Sequence, residues 1–239
     1  VTTTDRTCLS YWFPLLQATG ARVPRTTIVT TTLPLYMIPY GEGVPGYVRF
    51  RDEVRAACDA MGYPCFLRTG YGSGKHAWRD TCYIEGPDKL DRHIYELLEW
   101  SGTVDLVGLP VNVWAVREFL RLRAGFTAFR SMPVATEYRF FCDGGRVVCS
   151  HPYWPPESIR GPSCADWRAV LAAQSVMPPP GDLGREVARV ADAFAAPGYW
   201  SMDWALTVGG EWYAIDMADG ARSFHWPGCG VPRRVARAE

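Results

Sequence analysis

The sequence predicts an α+β protein, and three observations carry that prediction. Stretches rich in β-branched and aromatic residues are interspersed with stretches of helical periodicity. Two hairpins are signalled by turn residues, at Asp143-Gly144-Gly145 and at Gly209-Gly210. A third connection, within "FLRTGYGSGKHAWRDTCYIE" from Phe66 to Glu85, is long and glycine-rich and joins two strands. At 239 residues the chain is long enough for one large domain or two small lobes with a sizeable core.

The elements follow in chain order. Residues 5–19 have helix-like apolar spacing interrupted by Pro14, which is expected to bend or end the helix. "RTTIVTTTL" (25–33) is β-branched and reads as a strand, and residues 51–64 read as a helix stopped by Gly62 and Pro64. The glycine-rich hairpin comes next, then a helix over 88–100 and an alternating strand over 111–122. Residues 136–154 form a hairpin, 164–175 and 183–196 form helices separated by the breaker run "MPPPGD", and 199–220 form the last hairpin. The basic end "RRVARAE" is expected to fray.

Composition narrows the function classes. Twenty-five basic residues balance 25 acidic ones, which speaks against nucleic acid or an anionic membrane as partner. No apolar run approaches the roughly 20 residues of a membrane span, and the first residues lack the order of a signal peptide, so a soluble, cytoplasmic protein is expected. Eight cysteines without a CxxC pair suggest neither a zinc ribbon nor a disulfide framework, and small buried thiols are expected. Ten tryptophans exceed what packing alone needs, so some are expected in a pocket wall.

The last hairpin constrains chemistry most. Asp203 stands seven residues before Gly210 and Asp216 six after it, so the two carboxylates can face each other across the strands. Opposed carboxylates repel unless a cation sits between them, and magnesium bound to nucleotide phosphates meets that need, with Asp219 a third candidate ligand. The blander alternative leaves one acid solvated and the other paired to Arg222. The loop "TGYGSGK" (69–75) can turn backbone N–H groups toward phosphate, although its spacing and its strand-to-strand context are not those of a Walker loop. Its alternative is a flexible surface hairpin. "VREFL" (116–120) crosses between the two halves and can offer backbone polar atoms to an adenine edge. Arg139 alternates with Glu137 on one strand face and can hold a phosphate or an oxyanion, or pair with Glu137 or Glu157.

The order of glycine-rich hairpin, "REFL", "EYRFF" and "MDWALTVGGEWYAIDMADG" resembles the ATP-grasp superfamily over roughly residues 64–223. In ligases of that family, the D-alanine:D-alanine ligases among them, a "D…E-x-N" pattern separates its two acids as Asp203 and Asp216 are separated. Asp216 stands where glutamate is usual and Ala218 where asparagine is usual; the second departure removes one metal ligand, which Asp219 is positioned in the chain to replace. Arg68 takes the place of the usual strand-ending lysine, and with "SGKHAW" after it the chain is similar to a smaller clade frequent in bacteriophage and bacterial genomes.

The resemblance implies an ATP-grasp fold of two α+β lobes with the nucleotide between them. Residues 1–63 would be a short N-terminal segment, 64–115 a small lobe with the glycine-rich loop, and 116–239 a large lobe with the metal site. It implies ATP and Mg2+, with Arg68, Gly72, Ser73, Gly74, Lys75, Glu118, Phe119 and Leu120 around the nucleotide and Asp203, Asp216 and Asp219 around the metal. The implied activity is ATP-dependent carboxylate–amine ligation through an acyl-phosphate, on an amino acid, a peptide or a protein group. Lys75 would act on the phosphates, Arg139 on the tetrahedral oxyanion and His76 on the amine proton, with Trp78, His151, Tyr153 and Trp154 shaping the acceptor site. The family's habit implies a homodimer. Two alternatives stay open: a non-catalytic ATP-binding module and a small-molecule kinase on the same fold.

Overall fold

The computed structural model describes residues 5–104, 106–178, 181–196, 198–227 and 229. Helix α1 (Leu9–Ala18) runs through Pro14 without ending there, contrary to one of the two expectations for that residue. Its buried face, Leu9, Trp12, Phe13 and Leu16, secures it in the core, and such packing outweighs the loss of one backbone donor. The first backbone N–H of α1, from Leu9, donates to the Gly70 carbonyl at 2.8 Å, which ties the chain start to the glycine-rich loop.

The first sheet has the order β1-β4-β2-β3, antiparallel throughout. Its strands are β1 (Thr26–Thr30), β2 (Cys65–Thr69), β3 (Tyr83–Ile84) and β4 (Val113–Glu118). Residues of the expected N-terminal segment therefore supply an edge strand to the same sheet as β2. Helices α2 (Tyr47–Met61) and α3 (Leu90–Thr103) enclose a core of Phe50, Val54, Leu67, Ile94, Leu97 and Trp114. The expected second strand after the loop shrinks to the two residues of β3, because the 3₁₀ turn of Lys75–Ala77 is followed by further turns over 78–82.

The second sheet has the order β10-β9-β7-β8, again antiparallel. It comprises β7 (Glu137–Asp143), β8 (Arg146–Pro152), β9 (Trp200–Leu206) and β10 (Trp212–Asp219), with the two turns where the glycines predict them. Helices α1 and α5 (Asp182–Ala193) cover one face through Trp12, Tyr138, Val190, Trp200, Met202 and Trp204. The passage 124–135, not anticipated as regular, is a hairpin of β5 (Ala124–Ala128) and β6 (Met132–Ala135), turning through Phe129, Arg130 and Ser131 at positive φ. Helix α4 (Trp167–Gln174) packs on it. No helix among the described residues is long and apolar enough to cross a membrane. The basic tail 233–239 lies outside the described residues.

Packing, as much as flexibility, explains the loop's glycines. A Cβ on Gly72 would lie 2.3 Å from Cη2 of Trp100 on α3, and one on Gly74, whose φ is +58°, would lie 3.0 Å from Thr81 and 3.1 Å from Trp100. The loop is thus seated on α3. Gly72→Ala is expected to destabilise the fold by about 1–3 kcal/mol, read as a lower urea midpoint, and a smaller residue at Trp100 should recover part of the loss. An unchanged midpoint would contradict this packing.

Candidate nucleotide and metal site

Two strands set the geometry. Between β9 and β10, Trp212, Tyr213 and Ala214 face Leu206, Ala205 and Trp204; the register then shifts across Ile215, and Asp216 faces Asp203. Without that β-bulge Asp216 would fall opposite Met202, whose side chain is in the core. The extra residue turns the carboxylate onto the face of Asp203. The pairing continues across the sheet: Asp203 faces Arg139, and Arg139 faces His151.

Each acid is held by an arginine. Arg139 donates Nε and a terminal nitrogen to the two oxygens of Asp203, at 2.7 and 2.8 Å, a bidentate pair. Arg68, buried on β2 of the other lobe, donates to Asp216 Oδ1 at 2.8 Å. Burial alone would raise the Asp216 pKa, but the charge and hydrogen bond of Arg68, then Arg117 and Lys75, hold it below the ordinary value of 3.8. Arg117, on β4 of the first sheet, donates to the carbonyl of Ile215 at 2.7 Å, so a cation from that sheet fastens the bulge itself. Burial, then the neighbouring charge of Arg68, lowers Arg117 to about 9. Helix α1 lies against both cations, with the Arg68 guanidinium 6.0 Å from the Trp12 ring and that of Arg117 5.7 Å from Phe13.

Lys75 reaches this row from the loop. Its Nζ lies 3.9 Å from Glu137 and over the rings of Tyr153 (4.1 Å) and Trp154 (4.8 Å). Burial would depress its pKa, yet Glu137, Tyr153 and Asp203 outweigh burial and raise it, so the amine stays charged. Burial raises Glu137 in turn, against the pull of Lys75, to about 7.

Arg68, Lys75, Arg117, Glu137, Asp203 and Asp216 line a cleft of about 490 Å³ between the lobes, within the size range of small-molecule sites. Of the expected residues, Arg68, Ser73, Lys75, Glu118, Phe119, Leu120, Asp203 and Asp216 line it, as do Trp78 and Trp154. Gly72, Gly74, His76, Arg139 and Asp219 do not. The Gly72 N–H donates to Thr69 Oγ1 at 3.2 Å, so this loop donor is taken within the loop. His76 stacks on Phe129 with centroids 4.5 Å apart, and burial, then Lys75, lowers its pKa. Glu118 accepts from Arg25, and its own N–H donates to the Arg25 carbonyl. Asp219 pairs in register with Trp200, opposite in parity to Asp203, and instead meets Arg6 at 3.4 Å and caps the 3₁₀ turn at Gly220. The alternative partners weighed for Arg139, Glu137 and Glu157, give way to Asp203. Arg117 and the shifted Glu137 were not foreseen as site residues. Their signal was a charge placed inside the apolar strands "VWAVRE" and "TEYRFF".

The raised Glu137 has a consequence for stability. Between its ordinary 4.5 and about 7 the folded chain keeps a proton that the unfolded chain has released. This group's contribution is therefore most favourable below 4.5 and declines as pH rises toward 7. His76, His93 and His151 are lowered by burial and act with the opposite sign, losing stability as pH falls below 6.5. In urea denaturation from about pH 5 to about pH 7, native stability minus that of Glu137→Gln is expected to fall with pH. A flat or rising difference would refute the shift.

A family model described as an ATP-grasp domain, family 3 of its clade, matches residues 43–236. Among curated proteins no sequence matches the chain. Among solved structures, the RimK domain protein ATP-grasp from Sphaerobacter thermophilus DSM 20745 is similar at 13% identity and TM-score 0.52, over 90% of this chain and 59% of that one. Cdc123 from Schizosaccharomyces pombe is similar at 11% identity and TM-score 0.56, over 90% of this chain and 83% of that one. The chain thus spans less than two thirds of the first of these. At such identities the likeness concerns the fold alone, which is the expected α+β arrangement of two lobes around a cleft. With the match to the family model over most of its length, the chain belongs to the ATP-grasp superfamily, in the third family of that clade.

Proposed function

We propose that the chain is an ATP-dependent carboxylate–amine ligase that works through an acyl-phosphate. The observation that carries this reading is the pair Asp203 and Asp216, in register at the wall of the cleft with Arg68, Lys75 and Arg139 around them. A substrate carboxylate attacks the γ-phosphorus of ATP and ADP leaves; an amine then attacks the acyl carbon and phosphate leaves. Neither step requires a side-chain nucleophile, since positioning and charge neutralisation do most of the catalysis.

The donor set fits magnesium. Two carboxylates facing each other offer the oxygen ligands a hard dication takes, and Asp219, on the other face, stands outside this set. Magnesium held by Asp203 and Asp216 would neutralise charge on the nucleotide phosphates. Arg68 and Lys75 supply further fixed positive charge, Lys75 from the loop and Arg68 from the strand beneath it. Arg139, a planar fork in the same row, suits the oxyanion formed when the amine adds. The lowered pKa of His76 keeps it neutral at pH 7, as accepting the amine proton would require. With the Glu118 N–H already bonded, the adenine edge falls to the backbone of Phe119 and Leu120, beside Phe66 and Trp78 in the cleft wall. The substrates are an amino acid, a peptide or a protein group.

One observation favours a second reading, a non-catalytic ATP-binding module: Arg139 occupies both oxygens of Asp203. Calorimetric titration with ATP, with and without magnesium, tests the site. Binding is expected to need magnesium and to weaken at least about tenfold in Asp216→Asn, with circular dichroism verifying that variant's fold. ADP release coupled to amide product supports the ligase. ADP without amide indicates a kinase, and binding without turnover indicates the module. No binding in any condition refutes all three.

A further inference from the structure

A second cluster lies on the same face of the large sheet as Asp203, Arg139 and His151, but further along the edge strand β8 that carries His151. On β8, Cys149 faces Phe141 of β7, two residues along from the pairing of His151 with Arg139. After β10 and the turn Gly220–Arg222 the chain comes back to this face, where His225 stacks on Phe141 with ring centroids 3.6 Å apart. Four residues later Cys229 meets Cys149, and the two sulfurs are joined as a disulfide, with Cα atoms 6.1 Å apart. This corrects the expectation of isolated buried thiols; the other six cysteines are free.

The disulfide has a third member beside it. His225 Nδ1 lies 3.3 Å from Cys229 Sγ, and one ligating atom from each of Cys149, His225 and Cys229 falls within 4.8 Å of the others. The opposite ring nitrogen, Nε2, lies 2.8 Å from the Tyr199 hydroxyl, and both His225 and Tyr199 are buried. Metal-binding histidines are typically held this way, one nitrogen toward the metal and the other bonded to an oxygen that fixes the tautomer. Donors around tetrahedral zinc sit about 3.5–3.8 Å apart, so small movements about an opened disulfide would bring these three to that spacing.

We propose that in the reduced chain Cys149, His225 and Cys229 bind a zinc-type divalent cation through two thiolates and the Nδ1 of His225. A water completes the tetrahedron. The ion would fasten the C-terminal segment to the edge strand β8, as the disulfide does in the oxidised chain, so the same two cysteines provide alternative ties. A small dithiol converts one into the other: it gives two electrons and two protons, becomes a cyclic disulfide, and opens Cys149–Cys229 to two thiols. Metal binding then releases those two protons. The inference is independent of the ATP reading, since oxygen-only ligation at Asp203 and Asp216 yields no thiolate signature.

Cobalt(II) is the probe, because thiolate ligation gives a sulfur-to-cobalt charge-transfer band and tetrahedral geometry gives intense d–d bands. The native chain reduced with dithiothreitol and then freed of it is expected to take one Co2+ per chain with both signatures, and added Zn2+ should displace it. The oxidised native chain should show neither, a comparison that needs no variant to fold. Cys229→Ser should lose the thiolate band and His225→Ala should bind at least tenfold more weakly, whereas Cys164→Ser should bind as the native chain does. The proposal is overturned if the reduced chain shows no thiolate band, if the oxidised chain shows the same one, or if both variants at the cluster retain native binding.

Discussion

Two carboxylates opposed in one sheet register are the constraint around which the rest of the molecule is arranged. At about 5 Å and an effective dielectric of about 20, two such charges repel by about 3 kcal/mol. The fold offsets this with a separate guanidinium for each acid, Arg139 for Asp203 and Arg68 for Asp216. The arginines come from different sheets, Arg139 from the same sheet as the acids and Arg68 from the other, so the Arg68–Asp216 pair also fastens one lobe to the other. Removing either cation would leave a carboxylate facing its neighbour with less compensation.

The bulge at Ile215 connects this electrostatic arrangement to backbone geometry. It places Asp216 on the cleft face, and Arg117 on β4 grips its carbonyl. The rings of Trp12 and Phe13 lie under the two arginines of the first sheet, Arg68 and Arg117, so the first helix contributes an apolar floor to a charged site. Apolar surroundings strengthen each charge interaction, and they also account for the shifts at Arg117 and Glu137. The seating of Gly72 and Gly74 against Trp100 places Lys75 within reach of the same row. Cation placement and loop packing are therefore one problem in this chain.

Beyond the cleft, the same sheet face carries two kinds of site chemistry. Hard oxygen donors occupy the adjoining strands β9 and β10, while sulfur and imidazole gather at the opposite edge strand, β8, where the C-terminal segment crosses back. Phe141 lies between the segments and stacks on His225, and Trp226 stacks near His151. Aromatic contacts thus join the edge cluster to the row of Arg139 and Asp203.

Much of this was legible in the sequence. Turn residues located both long hairpins, apolar periodicity located the helices, and the count to Gly210 brought Asp203 opposite Asp216, because these are local properties of the chain. Sequence spacing did not disclose the bulge that gives this pairing its true register, since one extra strand residue has no compositional mark. Nor did it disclose that Asp219 turns away, that Arg139 binds Asp203, that Arg117 and Glu137 are buried within the site, or that Cys149 meets Cys229 across 80 residues. Local periodicity determined which elements form and which acids share a hairpin. Only the tertiary structure decided which charges meet, because partners far apart in sequence are chosen by which strands pair within a sheet and by the packing of one lobe on the other.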